Sequence, residues 1–325
     1  MSDQARVSDC YFAHTQRVFV ISGDRELTPM LESLWWPGCM EFFTFGTGKA
    51  AIETLFQDPP DMLIVDNRLP DMTGPQLAQM VKGENVYRQL PVVLCVDSED
   101  MVYPWNWNDV EVDDFLVRPY LESEVRDRIN LALLRSMRAL DANPLSKLPG
   151  NTSIIQRIQD LIDRGEDFGL AYCDLDYFKS YNDKYGFSRG DEVLMMAARV
   201  IVNTVKRFHA KSRFQPFVGH VGGDDFVFIL PAEQVEEACR EVVRAFDAIV
   251  PSFYDAGDRK KSCIESVDRK GQAQTFPIMA VSIAVVFNRG GRLHHYGEAS
   301  SIAMELKKKA KENPRSCYVL DQRTE

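Results

Sequence analysis

Four short apolar runs recur through the first part of the chain: VFVI at Val18 to Ile21, DMLIVD at Asp61 to Asp66, PVVLCV at Pro91 to Val96 and DDFLV at Asp113 to Val117. Runs of this length with little polar alternation predict strands buried on both faces, the pattern of a parallel sheet. The stretches between them are long enough to hold helices. An open, doubly wound α/β layout follows. In such a sheet ligands gather at the carboxyl ends of the strands, where Ser22, Gly23, Asp24, Asp66, Val96 and Arg118 fall.

That sheet accounts for residues 17–120 of a 325-residue chain, so a second compact unit is expected. Next comes LESEVRDRINLALLRSMRAL, which lacks Gly and Pro and carries Val125, Ile129, Leu133, Met137 and Leu140 at three- and four-residue spacing. The spacing predicts one apolar stripe on a long helix. The stripe can pack as the last helix of the first unit or pair with a second copy of the chain. Asn143-Pro144 breaks the helix, and Leu148-Pro149-Gly150-Asn151 signals a turn. The expected organisation is an extension (1–16), a first domain (17–120), a linking helix (121–142) and a second domain (143–325).

Composition narrows the function classes. With 45% hydrophobic and 26% charged residues the chain reads as globular. A formal charge of -10 leaves no basic excess for a nucleic-acid backbone, so no nucleic-acid partner is expected. The seven cysteines are scattered without a CxxC pair, which argues against a disulfide framework or a zinc site and fits a reducing cytoplasm. No signal-peptide pattern opens the chain, and no apolar run approaches ~18 residues, so no membrane segment is expected.

The second domain reads as α+β. A helix is predicted over Thr152 to Arg164, a strand over Leu170 to Cys173, a short helix through Tyr185 and a longer one from Gly190 to Phe208. Phe217 to Leu230 reads as two strands around a Gly-Gly turn. A helix over Ala232 to Ile249, a second hairpin around Lys270-Gly271, a strand over Met279 to Phe287 and a charged helix over Ser300 to Glu312 complete it. Acidic pairs stand at two strand ends, Asp174 with Asp176 and Asp224 with Asp225. They either decorate turns, where Asp is common, or converge on a hard divalent cation. Gly222 and Gly223 add a backbone against which a ligand could lie.

DLDYFKSYNDKYGFSRGD from Asp174 to Asp191, followed by GGDDF at Gly222 to Phe226, resembles the GGDEF family of diguanylate cyclases. The likeness runs from Asn143 to the C-terminus and includes Leu148-Pro149, VSIA at Val281 to Ala284 and AKENPR at Ala310 to Arg315. It implies a palm-like α+β domain that condenses two GTP into cyclic di-GMP and pyrophosphate with Mg²⁺ or Mn²⁺. By that resemblance Asp174, the Leu175 carbonyl and Asp224 hold metal, and Asp224 and Asp225 are catalytic. Asn182 and Asp191 read guanine, with Phe187 beside them. Backbone at Phe178 and Lys179, together with Lys311 and Arg315, cradles the triphosphate. Each domain of the family supplies half of the reaction centre, so a homodimer is implied.

The family pattern is not matched everywhere. Asp225 replaces the usual Glu, Phe187 a frequent His, and His220 a common Arg, which removes a permanent charge near the phosphates. The RxxD motif that binds the cyclic product as inhibitor is reduced to Arg213-Phe214-Gln215-Pro216, which implies weak product inhibition.

From Arg17 to about Arg135 the chain resembles response-regulator receivers of the flavodoxin-like fold, with Asp66 at the phosphoacceptor position and Arg118-Pro119 for the usual Lys-Pro. Ser22-Gly23 replaces the acidic metal pair, and Val96 stands where Ser or Thr contacts the phosphoryl group. Loss of the metal carboxylates implies a degenerate receiver used for dimerisation or for docking a protein partner. Two functions are therefore expected for the whole: a regulated cyclase, or a nucleotide-binding effector without turnover.

Overall fold

The computed structural model describes residues 12, 14–102, 105–106, 110–209, 214–267 and 273–323. The chain divides into two compact units between Leu140 and Asp141.

The first unit is the expected parallel sheet. Strands β1 (Gln16–Ile21), β2 (Met40–Phe45), β3 (Met62–Asp66), β4 (Val92–Asp97) and β5 (Asp114–Arg118) lie in the order β2-β1-β3-β4-β5, with every pairing parallel. Helices α1 (Leu27–Leu34), α2 (Gly48–Leu55), α3 (Gly74–Gly83) and α4 (Glu122–Asp141) cover it. Alternation along each strand divides the core. Val18, Val20, Met62 and Ile64 pack with α1 and α4, whereas Phe19, Ile21, Leu63 and Val65 pack with α2 and α3. Strand β2, which no apolar run announces, sits at the edge, mostly half-buried, and closes over Phe19 through Phe43 and Phe45.

Helix α3 begins with a reciprocal cap, in which Thr73 Oγ1 accepts from Gln76 N and Gln76 Oε1 accepts from Thr73 N. Such a cap contributes ~1 kcal/mol. Gly74 is needed behind it, because a Cβ there would fall 2.6 Å from the Asp66 carbonyl oxygen. Along α4 the predicted stripe resolves toward the first of its two readings. Val125, Ile129 and Leu133 are buried in the first unit's core and Met137 packs beside them, while Leu140 stays exposed.

The second unit contains α5 (Asn151–Asp163), β6 (Phe168–Asp176), α6 (Phe178–Tyr185), α7 (Phe187–His209), β7 (Phe217–Gly222), β8 (Asp225–Pro231), α8 (Val235–Ile249), α9 (Ala256–Lys261), β9 (Cys263–Val267), β10 (Ala273–Pro277), β11 (Ala280–Asn288), α10 (Tyr296–Ala310) and β12 (Cys317–Leu320). Its sheet runs β12-β11-β6-β8-β7, antiparallel except between β11 and β12, and β9 pairs antiparallel with β10, while the turn expected at Lys270-Gly271 lies outside the described residues. Alternation again sorts the faces. Ala171, Cys173 and Leu175 pack with α7 and α8, while Phe168, Leu170 and the partly buried Tyr172 pack with α5 and α10. The even-numbered face therefore carries Asp174 toward α10.

Asp141 caps α5 by accepting from the backbone N–H groups of Gly150, Thr152 and Ser153. Burial pushes its carboxyl up, but the Ser153 side chain and these backbone N–H groups outweigh it and hold the carboxyl below its usual range. Among the described residues no helix is long and apolar enough to cross a membrane.

Candidate functional site

The hairpin between β7 and β8 turns at Gly222 (φ +145°) and Gly223 (φ +59°), conformations that side-chain-bearing residues adopt only with strain. A bulge between His220 and Gly222 re-aims the turn. Strand register then sets Asp225 directly opposite Asp174, and Ser282 of β11 opposite Asp174 on the other side. Leu175 N–H donates to the Asp224 carbonyl at 3.3 Å, tying the turn to the end of β6. The two acidic pairs predicted from separate motifs are thus brought to one end of the sheet.

Two lysines answer them. Lys307, in the last turn of α10, places Nζ 2.9 Å from Asp174 Oδ2 and in closer contact with Asp225 Oδ1. Lys311, the C-cap four residues later, sits 2.8 Å from Asp174 Oδ1. That ion pair is not an aligned hydrogen bond, and Asp174 Oδ1 is a buried oxygen without one. Lys307 was not legible from the motifs. Its signal was the i, i+4 relation to Lys311, which puts both ammonium groups on one helix face.

Burial pushes Asp174 upward, but Lys311 and Lys307 outweigh it and hold the carboxyl below its usual range. Asp224 is raised by burial and by Asp174. Asp225 is raised by burial and by Asp174, against the pull of Lys307. Asp176 is raised by burial, against the hydrogen bond it accepts from Ser282 Oγ at 2.5 Å. Carboxylates outnumber cations here, and the imbalance is what a divalent ion would relieve.

The donor set fits Mg²⁺ or Mn²⁺, being hard oxygen only. Among the described residues no three acidic, His or Cys side chains converge closely enough to chelate an ion by themselves. That is compatible with Mg²⁺, which is commonly held by one or two carboxylates plus phosphate oxygens.

Beyond Asp176 the chain turns through Tyr177 in the left-handed region (φ +66°) straight into α6. The first N–H groups of that helix, at Phe178 and Lys179, start beside the carboxylate edge, a geometry suited to phosphate. Four residues on, Asn182 presents a buried Oδ1 that lacks a hydrogen-bond partner, and a Cβ at Gly190 would fall 1.9 Å from that oxygen. Gly190 therefore lets the Asn182 amide lie directly against the backbone at the start of α7. Asp191, next in sequence, is exposed and lines a cavity of about 670 Å³ floored by Met195, Met196 and Val200. Phe187 is exposed in the first turn of α7. Arg315 is also exposed, and its backbone N–H donates to Asn313 Oδ1. Arg213 lies outside the described residues.

His220 supports the turn from inside the fold. It is 2% exposed, stacked on Phe226 and hydrogen-bonded at both ring nitrogens, Nε2 to the Gly223 carbonyl at 3.0 Å and Nδ1 to Ser146 Oγ at 2.9 Å. A carbonyl only accepts, so Nε2 carries the proton and Nδ1 accepts from the serine. Burial holds the imidazole below its usual pKa. His220 thus braces the turn from beneath and is not a charge offered to phosphate.

In the first unit Asp66 is buried at the end of β3. Ser22 Oγ donates to its Oδ2 at 2.5 Å, and Arg118 Nη2 pairs closely with its Oδ1. Arg118 also reaches Asp97 Oδ1 at 3.2 Å and lies 4.0 Å from Asp24 Oδ2. The guanidinium fills the space among the three carboxylates.

Comparison with known proteins agrees with this architecture. The family described as "Diguanylate cyclase, GGDEF domain" matches residues 141–313, and "Response regulator receiver domain" matches residues 20–130. Response regulator PleD of Caulobacter vibrioides is 26% identical over 199 residues, 56% of this chain and 42% of PleD. Diguanylate cyclase DgcP of Pseudomonas aeruginosa is 31% identical over 127 residues, 37% of this chain and 18% of DgcP. The chain thus spans less than half the length of these relatives. The crystal structure of the coiled coil and GGDEF domain of DgcB from Caulobacter crescentus, in complex with c-di-GMP, is 18% identical, covers 61% of this chain and 94% of that one, and superposes with a TM-score of 0.43. The chain belongs to the GGDEF family of diguanylate cyclases and carries a response-regulator receiver domain ahead of its GGDEF domain.

Proposed function

We propose that the second unit condenses two GTP into cyclic di-GMP and pyrophosphate, and that the first unit is a degenerate receiver that governs dimerisation or docks a protein partner. The observation that carries the reading is the register of β6 against β8, which sets Asp174 beside Asp225 with Asp224 on the adjoining turn. Phosphate-suited amides open α6 two residues beyond Asp176.

In this reading Asp174, Asp224 and the Leu175 carbonyl hold Mg²⁺ or Mn²⁺, with Asp225 as the neighbouring acid. The bound ions would supply Lewis acidity toward the α-phosphate and favour ionisation of the attacking 3′-hydroxyl. Phe178 and Lys179 N–H groups, Lys311 and Arg315 bind the triphosphate. Gly222 and Gly223 let it approach the backbone. The Asn182 and Asp191 side chains select guanine by accepting from its N1–H and amino group, a donor pair adenine lacks. Catalysis is then positioning plus charge stabilisation. Because one domain holds one GTP, two copies must meet face to face. Asp66, enclosed by Ser22 and Arg118, is not an efficient phosphoacceptor. The working boundaries are 17–120, 121–142 and 143–325.

A second reading, a GTP- or cyclic di-GMP-binding effector without turnover, is favoured by one observation: Lys307 already sits between Asp174 and Asp225. Product chromatography after incubation of purified protein with GTP and Mg²⁺ separates the two. The cyclase reading expects cyclic di-GMP, with Asp224→Ala reducing its formation on the order of 10²–10³-fold at unchanged thermal stability. Nucleotide binding without any cyclic product selects the effector, and an unchanged rate in Asp224→Ala removes that residue from the centre.

A further inference from the structure

The acidic edge of the second unit already contains a cation of its own. Lys307 Nζ lies 2.9 Å from Asp174 Oδ2 and in closer contact with Asp225 Oδ1, the two carboxylates that strand register sets face to face. Lys311 differs, since it touches Asp174 Oδ1 alone and its side chain is 45% exposed against 20% for Lys307. Helix α10 fixes the position of Lys307. Ala303 and Ala299, one and two turns earlier on the same face, are buried against the sheet, and Ser300 Oγ meets Tyr172 OH at 3.2 Å. The ammonium is therefore delivered to the carboxylate pair by a packed helix and not by a free surface arm.

We propose that Lys307 is a tethered counter-ion of this centre: its ammonium holds Asp174, the carboxylate it shares with the metal set of Asp174, Asp224 and the Leu175 carbonyl, so the ion binds only by displacing the ammonium from Asp174. This rests on the metal-dependent reading above and adds a residue to it. Physical chemistry sets the direction. A single positive charge between Asp174 and Asp225 removes their repulsion and lowers the gain from a divalent ion that uses Asp174. In the resting protein the site is then held in a metal-poor state. Nucleotide phosphate, which brings both further ligands for the ion and a new partner for a released ammonium, completes the exchange. Metal and GTP should accordingly bind with strong mutual dependence.

The test is a Mn²⁺ titration of the full chain without nucleotide, read by loss of the free-ion electron paramagnetic resonance signal. Lys307→Met keeps an unbranched side chain one atom shorter and removes its charge, Lys307→Arg keeps a cation, and Lys309→Met removes a charge from an exposed position of the same helix. Lys307→Met should tighten Mn²⁺ binding on the order of tenfold or more, while Lys307→Arg and Lys309→Met stay close to wild type. Lys307→Gln, which retains polarity, serves if Lys307→Met fails to fold by circular dichroism.

Equal or weaker affinity in Lys307→Met overturns the proposal, as does an equal gain in Lys309→Met, which would reduce the effect to net charge. If wild type and Lys307→Met bind Mn²⁺ alike and Asp174→Ala abolishes it, the tether alone falls. If neither binds Mn²⁺ even with GTP added, the metal reading falls with it.

Discussion

Each unit ends an inner strand on an aspartate and answers it with a basic side chain, yet the two arrangements differ in their balance of charge. Asp66 has one oxygen on Ser22 and the other on Arg118, whose remaining nitrogens reach toward Asp97 and Asp24. Asp174 stands in a cluster with Asp176, Asp224 and Asp225 that two lysines do not neutralise, and its Oδ1 lacks an aligned donor. A strand-end carboxylate with both oxygens engaged is part of the scaffold. One in surplus, beside a helix N-terminus and a glycine turn, is poised for a ligand. The difference also lies in the cation itself, because Arg118 is a planar fork that cannot lose its proton, whereas Lys307 is a mobile point charge.

The largest effect that can break this comparison is on the first unit. Arg118 is 25% and Asp66 10% exposed at the side chain, and removing one partner of a buried pair leaves the other uncompensated. Allowing for partial exposure, Arg118→Ala should destabilise the first unit by about 2–3 kcal/mol, measured as a shift of its denaturant midpoint. Little or no loss would show that Asp66 is not closed by Arg118 and would reopen it to phosphorylation.

A smaller effect sharpens the second site. Since His220 is buried with its pKa depressed, its neutral form is the one the fold accepts. The unfolded chain takes up the proton first, so stability is fully present above the ordinary value of 6.5 and is lost as pH falls through it. His220→Gln, which can donate to the Gly223 carbonyl and accept from Ser146, should flatten that acidic limb, by less than about 1 kcal/mol near pH 5. An identical pH profile in both proteins would show that His220 is not the neutral brace beneath the turn.

The sequence carried most of the fold because its strongest signals are local. Strands β1, β3, β4 and β5 each contain an unbroken apolar run, and the GG turn marks its own hairpin. Strand β2 escaped because MEFFTF, at a sheet edge, interrupts its apolar residues with Glu41 and Thr44 and is mostly only half-buried, and β12 because its four residues are all half-buried. At the site, motif spacing pointed to the aspartates, and strand register brought them together. Lys307 was hidden in the run Lys307-Lys308-Lys309, which reads as a solvated helix end and gains meaning only once α10 is docked on the sheet. For His220 the sequence showed only the loss of a permanent charge, and its bracing role became visible once burial and its two ring hydrogen bonds were known.

The most direct test of the contrast is the Mn²⁺ stoichiometry of the full chain with GTP present, compared among wild type, Asp66→Ala and Asp174→Ala. Asp66→Ala should leave nucleotide-dependent Mn²⁺ binding intact, and Asp174→Ala should abolish it. Loss of Mn²⁺ in Asp66→Ala with retention in Asp174→Ala would place the ion in the first unit and contradict the assignment of the open site to the second.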